Sequence, residues 1–126
     1  MKNFENTELH IAAAGLYDLS LLEEMEDNEY TLDVLGAFIE ETPAELKEMQ
    51  SALQQGVIDT VCKKAHKIKS SAAVIQADHL TTLLKDIEDA GRRGAGSNTL
   101  SPLVEQAIQQ YKQIEKALQA HMQLLK

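Results

Sequence analysis

The chain has 126 residues, 44% of them hydrophobic but only 4% aromatic, so its length suits one domain with an aliphatic core. Twenty acidic residues against twelve basic ones give a formal charge of −8, which argues against binding to nucleic acid. The single cysteine, Cys62, excludes an internal disulfide and a thiolate metal cluster, and it favours a reducing, cytoplasmic compartment. Because no stretch reaches about eighteen consecutive apolar residues, we expect no membrane span, and because no apolar run follows a basic start, we expect no secretion.

Apolar residues recur at helical spacing along the chain and no stretch alternates strictly, which predicts an all-α fold. Residues 1 to 17 form a predicted N-terminal arm, followed by a helical domain over residues 18 to 126. Ser20 precedes Glu23 by three positions, which fits a capping box for a short first helix ending near Met25.

The second predicted helix is long and ends at Gly56. Its apolar stripe comprises Leu32, Leu35, Ile39, Leu46, Met49 and Leu53. Pro43 lies inside this pattern, where it removes a backbone donor and crowds the preceding turn. The pattern therefore predicts either a kink near residues 40 to 42 or two consecutive helices.

Three further helices complete the pattern. The third is predicted over residues 57 to 75 and the fourth over residues 79 to 90, where Gly91 interrupts helical continuity. Residues 92 to 98 read as a loop, and Ser101 before Pro102 resembles the N-cap of a last helix that runs to the end of the chain. Amphipathic helices joined this closely predict an antiparallel bundle.

The segment with the clearest chemical signal lies in the middle of the third helix, at Ala65-His66-Lys67-Ile68-Lys69. His66 lies at the edge of the buried stripe, so its ring should reach solvent. Lys69 follows one turn later, where its ammonium can approach a dianionic group on His66. The residues after Lys69 are short, so a partner protein can come close there, with Ser70 and Ala73 as docking positions.

If the third and fourth helices form an antiparallel hairpin that turns near Ala77, two residues that are equally far from the turn lie side by side. His66 and Glu88 are both eleven residues from that turn, and Lys85 lies one turn from Glu88. A carboxylate at Glu88 could accept a hydrogen bond from Nδ1–H of His66 and leave the Nε2 lone pair free as a nucleophile.

This run, with the small residues after it and a leucine-rich fourth helix, closely resembles the histidine-containing phosphotransfer domains of bacterial two-component relays. The resemblance implies an all-α, antiparallel up-and-down four-helix bundle with a short additional N-terminal helix. It implies further that His66 is the phosphoacceptor, that Lys69 lies near the phosphoryl group, and that Glu88 is the polar residue beside the imidazole. It also implies response-regulator receiver domains and a hybrid sensor histidine kinase as partners, with Mg²⁺ supplied by the receiver and no cofactor of the chain's own. Ser70 and Gln76 stand where the family commonly has glycine.

Other functions of a helical bundle fit less well. A di-iron site needs Glu-x-x-His pairs, and no histidine here has a glutamate three residues before it. A kinase would need a phosphate-binding loop ending in lysine, whereas the glycines at 91, 94 and 96 are followed by Ser97 and Asn98. We therefore expect a phosphocarrier that is not an enzyme, and a monomer, with a non-covalent helical adaptor as the alternative.

Overall fold

The fold is an all-α bundle, as the apolar periodicity predicts. The structure is a computed structural model that describes residues 15–126. Five helices follow one another in this range: α1 Ser20–Glu24, α2 Asn28–Gln54, α3 Ile58–Val74, α4 Asp78–Arg92 and α5 Ser97–Leu125. Connections of three or four residues make sequential neighbours among α2 to α5 antiparallel, and α5 packs against both α4 and α2. The four-helix bundle with a short extra helix is thereby confirmed, while most of the predicted arm over residues 1 to 17 lies outside the described range.

The core is aliphatic and is shared by all five helices. On α3 and α4 one apolar stripe of each helix is buried, with the largest fully enclosed side chains at Val61, Ile68, Leu80, Leu84 and Ile87. Since burying one such side chain contributes roughly 1.5–3 kcal/mol, these stripes hold the α3–α4 hairpin against the rest of the bundle. The hairpin thus forms a rigid support for residues on its outer face.

Helix α1 covers one end of the bundle. At ~1.5 Å per residue, α2 and α5 are each about 40 Å long, whereas α3 and α4 span only about 25 Å and 22 Å. The longer helices therefore extend past the α3–α4 turn, where Leu19 and Leu22 enter the core. The backbone N–H of Asp18 donates to the carbonyl of Ile75 at 3.0 Å and ties α1 to that turn.

The start of α1 differs from the predicted capping box. Ser20 is the first helical residue, and its hydroxyl and backbone N–H both donate to Oδ1 of Asp18, at 2.5 and 2.9 Å. The N–H of Glu23 bonds to the carbonyl of Leu19. The capping-box prediction is wrong because the carboxylate of Asp18 is the better acceptor for the first turn.

Pro43 lies within a single helix, so the predicted alternative of two consecutive helices is wrong. A proline at this position cannot donate to the carbonyl of Ile39, four residues earlier. The phenolic hydroxyl of Tyr111 on α5 donates to that carbonyl at 3.4 Å instead. A side chain from the neighbouring helix thus satisfies the acceptor that proline leaves open, and α2 continues to Gln54.

The predicted break at Gly91 and the predicted cap at Ser101 are both wrong. Gly91 lies inside α4 and packs against Cys62 and Ile58 of α3, where it has no room for a side chain. Helix α5 begins at Ser97, whose hydroxyl donates to the carbonyl of Leu53 at 3.1 Å, and Pro102 lies inside the helix. Its missing donor concerns only an exposed carbonyl near the helix start, so the helix tolerates it.

The α3–α4 turn takes the form that glycine would give, although the middle one of its three residues is Gln76. Gln76 has φ +50°, in the left-handed region, at a cost of order 1 kcal/mol. The N–H groups of Gln76 and Ala77 donate to the carbonyls of Ala73 and Ala72, both at 3.0 Å, and close the end of α3. The hairpin register, in which residues equally far from the turn face each other, is therefore retained.

Among residues 15–126, no helix combines the length and the apolar character that crossing a bilayer requires.

Candidate phosphotransfer site

The candidate site lies on the outer face of the α3–α4 hairpin, away from both turns. His66 and Lys69 come from successive turns of α3, and Glu88 comes from the facing part of α4. The imidazole of His66 is 59% exposed, whereas the carboxylate of Glu88 is only 7% exposed. The predicted pairing of His66 with Glu88 is confirmed as a contact, with 3.0 Å between Nδ1 and Oε2.

Glu88 is a buried carboxylate that accepts from three side chains. Its Oε1 lies 2.7 Å from the ammonium of Lys69. Its Oε2 accepts from His66 and also from Arg92, whose Nη2 and Nε lie 2.8 and 3.2 Å away. Each lone-pair direction of a buried charge needs a partner, and here three side chains supply them.

The cations decide the ionisation state of this carboxylate. The hydrogen bond from Lys69, with a further one from Arg92, lowers the pKa of Glu88 to about 2 against the opposing effect of burial. At neutral pH the carboxylate is therefore charged and can only accept hydrogen bonds. Nδ1 of a neutral His66 must then carry the proton, so the lone pair is on Nε2.

The site is positively charged in an otherwise acidic protein. Two cations, Lys69 and Arg92, surround one anion, Glu88, so the cluster is positive by one charge when His66 is neutral. An exposed Nε2 lone pair beside a net positive charge suits attack on an anionic phosphoryl group. Within residues 15–126, no group of three or more His, Cys, Asp or Glu side chains could hold a metal ion.

Lys85 lies outside this cluster, contrary to the prediction from helical spacing. Its ammonium pairs with Oδ2 of Asp89 at 2.7 Å, on an exposed part of α4. An i,i+4 partner is available to Lys85 at Asp89, whereas Glu88 already faces α3 and is enclosed there. The predicted docking residues Ser70 and Ala73 are both exposed on α3, and the Ser70 hydroxyl donates to the carbonyl of His66 at 3.2 Å.

Arg92 is the site residue that the sequence reasoning missed. It falls in the predicted loop over residues 92 to 98, because Gly91 indicates the end of the fourth helix in the sequence. The spacing of four between Glu88 and Arg92 was a usable signal, since this is the standard separation of an ion pair on one helix face. Extending α4 through Gly91 is what brings the guanidinium to the carboxylate.

Comparison with known proteins assigns the family. The family model described as the Hpt domain matches residues 33–124, which include every residue of the cluster. The chain belongs to the Hpt domain family. Histidine-containing phosphotransfer protein B (HptB) from Pseudomonas aeruginosa PAO1 has the same fold, with a TM-score of 0.77 and 23% identity over 86% of this chain and 95% of that one. No curated protein matches the chain significantly.

Membership of this family gives the function at the level of the pathway. As an Hpt domain, the chain is a phosphotransfer intermediate of two-component phosphorelay signalling. Its partners are accordingly phosphorelay proteins of the kind that carry receiver domains and histidine kinases.

Proposed function

We propose that His66 carries the phosphoryl group, accepting it from an aspartate of one receiver domain and passing it to an aspartate of another. One observation supports this most strongly: the ionised, buried carboxylate of Glu88 faces Nδ1, so the reactive lone pair is on the exposed side of the ring. His66 lies within the residues that the family model matches.

In the proposed step, the Nε2 lone pair attacks the phosphorus of a receiver aspartyl phosphate in line with the leaving oxygen. The Nε2–P bond forms while the P–O bond breaks, and the aspartate leaves as a carboxylate with the bonding electron pair. No proton moves, because the proton stays on Nδ1. The ring gains positive charge, and Glu88, 3.0 Å away, stabilises it.

Lys69 is proposed to contact the transferred phosphoryl oxygens. Lys69 follows His66 by one helical turn, its ammonium contacts Glu88, and 26% of its side chain is exposed. Mg²⁺ is proposed to come with the receiver domain, and the chain itself acts as a carrier with no kinase activity and no cofactor. A compartment shared with receivers, the cytoplasm, fits its lone, buried cysteine, Cys62.

The receiver is proposed to dock on α3 beside His66, over Ser70 and Ala73. Both positions are exposed, and their short side chains leave the imidazole as the projecting group. Replacing Ser70 with Trp should block this approach, so receiver binding should weaken strongly while helicity is retained. Normal binding by that variant would place the interface on another face. We further propose a monomer, because the apolar stripes of α2 to α5 face one shared interior.

The deciding experiment incubates the chain with a phosphorylated receiver and follows the label. Phosphohistidine is stable to base and labile to acid, which separates it from a serine or threonine phosphate. The wild-type chain should acquire such a label, and His66→Gln should acquire none while keeping its helical circular dichroism. Undiminished labelling of the variant would refute His66 as the acceptor, and absence of label on both proteins would favour a non-covalent adaptor.

A further inference from the structure

The positive charge beside Glu88 exceeds the single negative charge of its carboxylate in the unphosphorylated protein. Either Lys69 or Arg92 alone would compensate its single negative charge, yet both lie within 2.8 Å of its oxygens. The two cations differ in position: Lys69 comes from the same helix as His66, whereas Arg92 comes from the same helix as Glu88. One of the two cations is therefore not needed to neutralise Glu88 in the unphosphorylated protein.

Phosphorylation of His66 changes the demand on Lys69. The proposed function gives Lys69 a second partner, the phosphoryl oxygens, so its ammonium must loosen its contact with Glu88. A buried carboxylate without a counter-charge is strongly unfavourable, and it would resist the release of Lys69. Arg92 removes this obstacle, because its guanidinium keeps two contacts to Oε2 when Lys69 turns toward the phosphoryl group.

We propose that Arg92 is a positioning residue that holds Glu88 during phosphotransfer and thereby frees Lys69 to bind the phosphoryl group. The proposal rests on the proposed function, since it requires a phosphohistidine at position 66. Arg92 acts through Glu88: it keeps Oε2 in place as the acceptor of Nδ1–H while the ring carries positive charge. The side chain of Arg92 is 61% exposed, so it acts through its contact with Glu88 and contributes little to packing.

The neighbouring residue supplies a matched control. Arg93 has the same charge and lies at the same end of α4, but its charge acts on Asp89, whereas the guanidinium that contacts Glu88 is that of Arg92. Replacing either arginine with glutamine removes one positive charge from the same region. Only the change at Arg92 removes a contact to Glu88, so a difference between the two variants isolates that contact from the general charge of the surface.

The experiment measures the rate at which a phosphorylated receiver loads His66. Arg92→Gln should load about 10-fold more slowly than wild type, and Arg93→Gln should stay within about 2-fold of wild type. In a Glu88→Gln background, where no charge needs compensation, Arg92→Gln should change the rate by less than about 2-fold. Arg92→Lys restores a cation at the i,i+4 position and should recover most of the wild-type rate.

The outcomes separate this inference from the function on which it rests. If wild type and Arg92→Gln load His66 at equal rates, or if the effect of Arg92→Gln is as large in the Glu88→Gln background, the positioning role is refuted while His66 remains the acceptor. If the His66→Gln variant is labelled like wild type, the proposed function itself fails. Assays well below the melting temperature of each variant exclude a loss of rate through unfolding.

Discussion

Gly91 packs closely against α3. Whether a substitution at Gly91 stabilises or destabilises the protein therefore depends on one sulfur atom. A Cβ added at Gly91 would lie under 3.0 Å from Sγ of Cys62, a separation that real Cβ atoms essentially never show. It would also lie 3.3 Å from Cγ2 of Ile58, a tight contact that a small shift can relieve. Cys62 is 4% exposed and has little freedom to move its sulfur away.

The change in the free energy of unfolding caused by Gly91→Ala is the sum of two opposing effects. Replacing glycine with alanine inside a helix stabilises by about 1 kcal/mol. Overpacking a filled interior costs typically 1–3 kcal/mol. Gly91→Ala should therefore be neutral or destabilising, by up to about 2 kcal/mol. In a Cys62→Ala background the sulfur is gone, and the same change should stabilise the protein by about 1 kcal/mol.

Urea unfolding of four proteins tests this: wild type, the two single variants and the double variant. The expected coupling between the two sites is on the order of 1–3 kcal/mol, in the range seen for residues in direct contact. A change in the free energy of unfolding that is equal for Gly91→Ala in both backgrounds would refute the reasoning. It would show that the helices separate freely and that α3 and α4 do not require glycine at this position.

Two further predictions concern the buried carboxylate. Lys69→Ala should slow transfer by about 10-fold, on the order of 1.4 kcal/mol of barrier, and should also lower the melting temperature because Glu88 loses a partner; equal rates for the two proteins would show that Lys69 takes no part in transfer. The pKa of Glu88 falls from 4.5 to about 2 on folding, so its contribution to stability is present above pH 4.5 and is lost as the pH falls toward 2, on the order of 3 kcal/mol in all. Unfolding measured from pH 5 to pH 2 should therefore be less acid-sensitive for Glu88→Gln than for wild type, and parallel curves would contradict the assignment.

The contact between His66 and Glu88 can be predicted from the sequence. Both residues are equally distant from the α3–α4 turn, and an antiparallel hairpin brings such residues together whatever the details of the turn. The partner of Lys85 cannot be predicted in this way, because spacing along one helix does not say which of two nearby acids an ammonium will bind. The choice of Asp89 depends on the enclosure of Glu88, and enclosure is a property of the packed bundle.

The all-α class, the bundle and the facing of His66 and Glu88 can be predicted from the sequence alone, because all of these follow from the period of 3.6 residues and short connections. The place of Gly91 inside α4 could not be predicted, since the close approach of Cys62 is a contact between residues far apart in sequence. The same holds for the hydrogen bond by which Tyr111 satisfies the carbonyl freed by Pro43. The contact between Arg92 and Glu88 depends on Gly91, because the helix must continue through that glycine before the guanidinium can reach the carboxylate.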